Sequence, residues 1–139
     1  MHRGVRVRSA SRSSSRGFLA KARECYQGMK DEIKAKRYNS STILAVHAVI
    51  SACDALTSFY LQQRCASDRH LDVLSLIGRL PFDKSELDAK SKQIARVIDV
   101  KNVAEYEERS ISAGEAESAA RDAERTLKWA IEKLPDLKA

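Results

Sequence analysis

The sequence has few of the residues that define several protein classes. With 5 Gly and 2 Pro among 139 residues, it is not collagen-like. Its three cysteines, Cys25, Cys53 and Cys65, are an odd number without metal-like spacing, which argues against a disulfide scaffold. Apolar residues make 43% of the chain and charged residues 32%, so it is not wholly disordered. We expect Cys25 and Cys53 to pack in the core of a reduced, cytoplasmic protein.

Most catalytic sequence signatures are also absent. The chain has no phosphate-binding glycine loop, GxSxG elbow, HExxH motif or Cys-His metal spacing. It contains three histidines, His2, His47 and His70. We therefore expect no metal site and no cofactor. The longest stretch with few charges, 38–63, is interrupted by several polar residues, and we expect it not to span a membrane.

The positive charge is concentrated at the start of the chain. The net charge of +6 comes from 25 basic and 19 acidic residues. Residues 1–16 hold five arginines and no acid, so the remaining 123 residues, with 20 basic and 19 acidic groups, are nearly neutral. We expect 1–16 to be a disordered basic tail, with electrostatic contact to phosphates as the functional alternative. Residues 17–135 would form one folded domain.

Apolar residues at spacings of three and four predict a chain that is helical almost throughout. The predicted helices cover about 15–37, 41–63, 70–79, 85–108 and 112–134. The polar run 39–42 is predicted to cap the second helix, and capping boxes are predicted at Asp83 with Glu86 and at Ser112 with Glu115. No alternating apolar run appears, so we expect no strand. The fold class is all-α: an up-and-down four-helix bundle with one extra short helix.

Two groups of polar residues interrupt apolar helix faces. His47 and Asp54 are seven residues apart on the most apolar helix, so they share a face and need partners if buried. Lys101 and Glu105 form an i,i+4 pair on the fourth helix. These groups either form structural contacts or line a ligand cleft. The cleft hypothesis predicts that five residues converge between the second and fourth helices: His47, Asp54, Lys101, Asn102 and Tyr106.

Several stretches resemble the HEPN (higher eukaryote and prokaryote nucleotide-binding) family. They are 45–56, the turn 68–70, the run 101–106 and the helix start 112–115, and they occur in the family's order. The resemblance covers about 18–134. It implies an all-α bundle that is often dimeric. Many such proteins are metal-independent ribonucleases, frequently toxins paired with an antitoxin, and others bind nucleotides or partner proteins without catalysis.

The family's catalytic motif is only partly matched. Catalytic members carry Arg, then four to six residues, then His, commonly with Asn directly after the Arg. At the similar position Asn102 matches, Lys101 replaces Arg, and Glu105 and Tyr106 stand where the His is expected. A second formal match, Arg64 followed after five residues by His70, lies between the second and third helices. These six residues are the candidates for catalysis.

The sequence therefore leaves two functional hypotheses. The first is a HEPN-like protein, expected as a homodimer, that binds RNA, a nucleotide or an antitoxin-like partner protein. Catalysis by this protein would be metal-independent RNA cleavage. The alternative is a non-catalytic structural or interaction bundle whose polar residues only hold the helices together. Neither hypothesis includes a membrane partner.

Overall fold

The computed structural model describes residues 6–66 and 70–134, without the side chains of residues 70 and 71. The predicted all-α class is confirmed, with helices at α1 (Ser14–Lys34), α2 (Tyr38–Leu61), α3 (His70–Ile77), α4 (Lys84–Tyr106) and α5 (Ala113–Lys133). Residues 1–5 and 135, and positions 68 and 69 of the predicted turn, lie outside the described part of the chain.

The central element of the bundle is α2, which packs against the other four helices. It runs antiparallel to α1, as the bond from Ser15 Oγ to the Ala55 carbonyl at 2.9 Å shows. It runs parallel to α5, because Tyr60 near its end donates a hydrogen bond to the Lys133 carbonyl. Helix α4 is antiparallel to both, so its last turns lie beside the start of α2. We call this region the α4 end.

By length and composition alone, helix α2 is long and apolar enough to cross a membrane. This differs from the expectation that the stretch is too polar. In the bundle, 67% of its most apolar segment is buried against protein. Val46, Val49, Ala52 and Leu56 are all fully buried. The apolar character of α2 is thus accounted for by its central place in the core.

Two short strands contradict the expectation of a chain without strands. Strand β1 (Val7–Ser9) pairs antiparallel with β2 (Gln63–Cys65), directly after α2. Val7 packs against the core and Cys65 is buried. The described part of the predicted tail, 6–16, is therefore attached to the body and not disordered. A three-residue strand is too short to show an alternating pattern, which explains why the sequence did not reveal it. We call the end that carries this sheet the sheet end.

The helix boundaries show which local signals determine the structure. The predicted capping box of Ser112 and Glu115 is confirmed, with both reciprocal hydrogen bonds present. Asp83 caps α4 by accepting from Ser85 N at 3.2 Å, but Glu86 does not complete the second predicted box. Its carboxylate accepts from Trp129 Nε1 at 2.6 Å instead. Contact with α5 therefore replaces a local cap.

The polar run 39–42 lies inside α2 and does not cap it. The helix begins at Tyr38, and the preceding residue, Arg37, makes no side-chain cap hydrogen bond. Asn39 Oδ1 accepts from the backbone N–H of Ile111 at 2.8 Å, a residue 72 positions away. The amide thus joins α2 to the α4–α5 connection.

Aromatic rings form a connected series at the sheet end. Phe59, Tyr60, Phe82 and Trp129 stack edge to face, with successive centroid distances of 4.9, 5.0 and 5.9 Å. The guanidinium of Arg12 lies 4.7 Å from the Phe59 centroid. The series therefore connects α5 to the segment that precedes α1, through the end of α2 and the α3–α4 connection.

All three cysteines are free thiols. Cys53 is buried, as predicted, and burial raises the pKa of its thiol. Cys25 is only half-buried on α1, and burial again raises its pKa. Neither thiol is activated as a nucleophile, because a raised pKa lowers the thiolate fraction.

Candidate functional site

The residues at the α4 end form one local cluster. Lys101 is buried, with 9% of its surface exposed, and its Nζ lies 3.6 Å from a carboxylate oxygen of Glu105. The same Nζ is 5.4 Å from the centroid of the Tyr106 ring. Tyr106 is itself 72% exposed, and Asn102 is exposed. The structure therefore brings Lys101, Glu105 and Tyr106 together.

This cluster has limited capacity for acid–base chemistry or phosphate binding. The Lys101 ammonium is buried beside a carboxylate that balances its charge, so a phosphate would have to compete with Glu105. Two neighbouring arginines are also engaged. Arg37 contacts Glu32 at 2.7 Å, and Arg109 contacts Glu115 at 2.8 Å. The hydrogen bond from Arg109 is the largest cause that lowers the pKa of Glu115 to about 2.

Asp54 lies in a different environment, near the sheet end. It is 9% exposed, and burial raises the pKa of its carboxyl to about 7, opposed by the positive charges of Arg64 and Lys21. These charged neighbours come from β2 and α1, not from α4. The sequence predicted that a buried Asp54 needs polar or charged partners. The charged groups near it are Lys21 and Arg64, on the α1 side of α2.

His47 is exposed and needs no buried partner. It is flanked along α2 by the half-buried Ile43 and Ile50, which share its face at i−4 and i+3. Asp54 lies about 10 Å further along the helix, since each residue adds about 1.5 Å. The five residues of the predicted cleft are thus placed in three environments: His47 on the open face of α2, Asp54 beside Lys21 and Arg64, and Lys101, Asn102 and Tyr106 at the α4 end.

The second catalytic candidate pairs Arg64 with His70. Arg64 is in β2, and its guanidinium lies 5.4 Å from the centroid of the Phe18 ring. His70 begins α3, but its side chain is outside the described part of the structure. Their pairing stays a prediction.

A polar contact between α4 and α5 was not anticipated from the sequence. Arg96 makes two hydrogen bonds to the buried carboxylate of Asp122, at 3.0 and 2.9 Å. The pair lines a groove of about 470 Å³ together with Asp99 and Ser118. The available signal was Asp122 itself, a carboxylate within the apolar stripe of α5. Within the described ranges, no group of His, Cys, Asp and Glu could hold a metal ion.

A family comparison covers most of these elements. The family model of the HEPN domain matches residues 15–134. The chain belongs to the HEPN family. No curated protein matches the sequence. The matched segment of this HEPN protein runs from the second residue of α1 to the end of α5 and includes β2. The strand that pairs with β2, β1, precedes the matched segment.

Proposed function

We propose that this HEPN protein binds single-stranded RNA without cleaving it. The observation that supports the proposal is the Lys101–Glu105 ion pair at 3.6 Å, at the position where catalytic members carry Arg and His. Family membership supports a nucleotide- or RNA-related role. The ion pair supports binding without catalysis.

The physical argument concerns charge and proton transfer. Cleavage through the RNA 2′-hydroxyl needs a proton acceptor, a proton donor and a cation at the phosphate. An imidazole suits both proton transfers because it titrates near neutral pH. Here Lys101 is balanced by Glu105, and the exposed phenol of Tyr106 occupies the other motif position. This set lacks an imidazole.

The proposal is tested by incubating the purified protein with labelled single-stranded RNA in the presence of EDTA. We expect the wild type to bind the RNA and leave it intact. The double variant Lys101→Arg with Tyr106→His restores the family's motif and is expected to gain cleavage, with Arg121→His as a control at an exposed site. Metal-independent cleavage by the wild type, lost in Glu105→Gln, would contradict the proposal.

A second candidate function is protein binding through the open face of α2. Ile43 and Ile50 are half-buried beside the exposed His47 on a helix whose central residues are mostly buried. We propose that a second copy of the chain covers this face in a symmetric homodimer. An antitoxin-like partner would compete for the same face. Analytical ultracentrifugation should show a dimer that Ile50→Glu converts to a monomer and that Lys92→Glu, at an exposed site on α4, does not change.

A further inference from the structure

The register of the two-stranded sheet places two arginines directly opposite each other. Arg8 of β1 pairs with Arg64 of β2, between the pairs Val7–Cys65 and Ser9–Gln63. Because side chains alternate along a strand, Arg8 and Arg64 share the face opposite to Val7 and Cys65, which pack inward. We call the face that carries Arg8 and Arg64 the arginine face. The same alternation places Arg6 on it, two residues before Arg8.

Such a pair of like charges destabilises an isolated sheet. Within 6–66 and 70–134, no salt bridge involves Arg6, Arg8 or Arg64, whereas Arg37, Arg96 and Arg109 all have carboxylate partners. Asp54 is a described acid whose charge interacts with that of Arg64; it is mostly buried and has a pKa of about 7. Asp54 therefore balances only part of this positive charge at neutral pH. The pair lacks the compensation that Arg37, Arg96 and Arg109 have.

Further positive groups continue the arginine face toward α1. Arg12 donates from Nε to the Phe59 carbonyl at 3.1 Å, which holds it beside the sheet. Arg16 is exposed in the first turn of α1, and that turn contains no acidic residue. The amino terminus of a helix adds a partial positive charge. A ligand here meets cations on β1, β2 and α1.

We propose that this face binds the sugar-phosphate backbone of single-stranded RNA, with Arg8 and Arg64 on either side of one phosphate. An anion between two opposed guanidinium groups removes their repulsion and accepts hydrogen bonds from both. Arg6, Arg12 and Arg16 extend the positive surface along the strand and helix. The proposal rests on the proposed function, because it names the surface through which RNA is bound.

The chemistry of the face favours a nucleic acid over other polyanions. A membrane-binding surface combines basic residues with large apolar groups that insert between lipids. Among the described residues, the large apolar side chain that is strongly exposed is Tyr106, which lies at the α4 end and not on this face. An acidic helical partner would likewise need an apolar groove on this face. Arginines without exposed apolar neighbours match a phosphate backbone.

The test is fluorescence anisotropy with a labelled single-stranded RNA of about 12 nucleotides, at about 50 and 200 mM KCl. Arg8→Gln and Arg64→Gln keep a polar side chain of similar length. We expect each to bind RNA roughly 3- to 10-fold more weakly and to reduce the salt dependence by about one phosphate contact. The control Arg121→Gln, at an exposed site on α5, should bind like the wild type.

Three outcomes of this experiment would overturn the inference. Binding that is tight in the wild type and equally tight in both variants would overturn this inference and leave the proposed function intact. A wild type that binds no RNA would overturn both, and thermal shifts with tripolyphosphate would then show whether the arginine pair takes another anion. Binding to vesicles of anionic lipid in preference to RNA would assign the face to a membrane and also overturn the inference.

Discussion

Two clusters of positive charge, one at each end of the bundle, differ in how they are compensated. At the α4 end, Lys101 contacts Glu105 and Arg109 contacts Glu115. At the sheet end, Arg8 faces Arg64 across the strand pair, without a salt bridge in the described part of the chain. The net charge of +6 does not distinguish these situations. We infer that pairing, and not the number of cations, determines where an anion binds.

The residues that resemble the family's catalytic motif and the residues proposed to bind RNA lie at different ends of the bundle. The partial catalytic motif lies at the α4 end, where Glu105 balances Lys101. The proposed anion-binding surface depends on β1, which precedes the segment matched by the family model. This HEPN protein therefore combines a modified motif with a basic surface built partly from residues before the matched segment.

The largest expected effect on stability comes from Asp54→Asn, which replaces the buried carboxyl group near the sheet end with a neutral amide. The folded pKa of Asp54 is about 7, above the ordinary value of 3.8. The folded state therefore binds the proton more tightly, and the free energy of unfolding falls as the pH rises from about 4 to about 7. We expect the variant to be more stable than the wild type at pH 8, by up to about 4 kcal/mol, in urea unfolding.

At pH 4 the difference between Asp54→Asn and the wild type should be small, because both side chains are then neutral. Asp88→Asn, on the exposed surface of α4, provides the control and should show no such pH dependence. Parallel stability profiles of Asp54→Asn and the wild type would contradict the assigned pKa.

An intermediate effect is expected from deleting residues 1–10, which removes β1 and the packing of Val7. The sequence alone predicts an unchanged melting temperature, because it predicts a disordered tail. The structure predicts a loss of about 2 kcal/mol, from the lost strand hydrogen bonds and buried apolar surface. Arg8→Gln keeps the strand and should melt like the wild type or slightly higher. An unchanged melting temperature after the deletion would mean that β1 does not pack on the body.

The smallest effect is expected from Lys101→Met at the α4 end. The substitution keeps the apolar stem and removes one ion pair, so we expect a stability loss of about 1 kcal/mol. RNA affinity should not change, because Glu105 already balances the ammonium. Thermal melting of this variant measures the change in stability, and fluorescence anisotropy measures the change in RNA affinity. A marked loss of RNA binding would place the RNA site at the α4 end and contradict its assignment to the sheet end.

The features that were predictable from the sequence depend on neighbours along the chain. The capping box of Ser112 with Glu115 and the ion pair of Lys101 with Glu105 span three and four residues. Both follow from helical geometry alone. The helices themselves were predicted from apolar spacing, which is equally local.

The features that were missed depend on distant parts of the chain. Arg8 and Arg64 are 56 positions apart and meet through a strand register that no pattern reveals. Asn39 binds a backbone N–H of the α4–α5 connection, so it does not cap its own helix. His47 is exposed because the helices that pack on α2 do not cover this part of its surface. Helix periodicity alone does not specify which part stays uncovered.

The series of aromatic rings gives the protein an internal optical probe. The chain has one tryptophan, and Trp129 is buried with 4% of its surface exposed. Its ring is joined through Phe82, Tyr60 and Phe59 to Arg12 at the basic face. A bound polyanion that contacts Arg12 is expected to perturb this stack and change the tryptophan emission. We therefore expect that ligand binding at the sheet end can be followed by intrinsic fluorescence, without an attached dye.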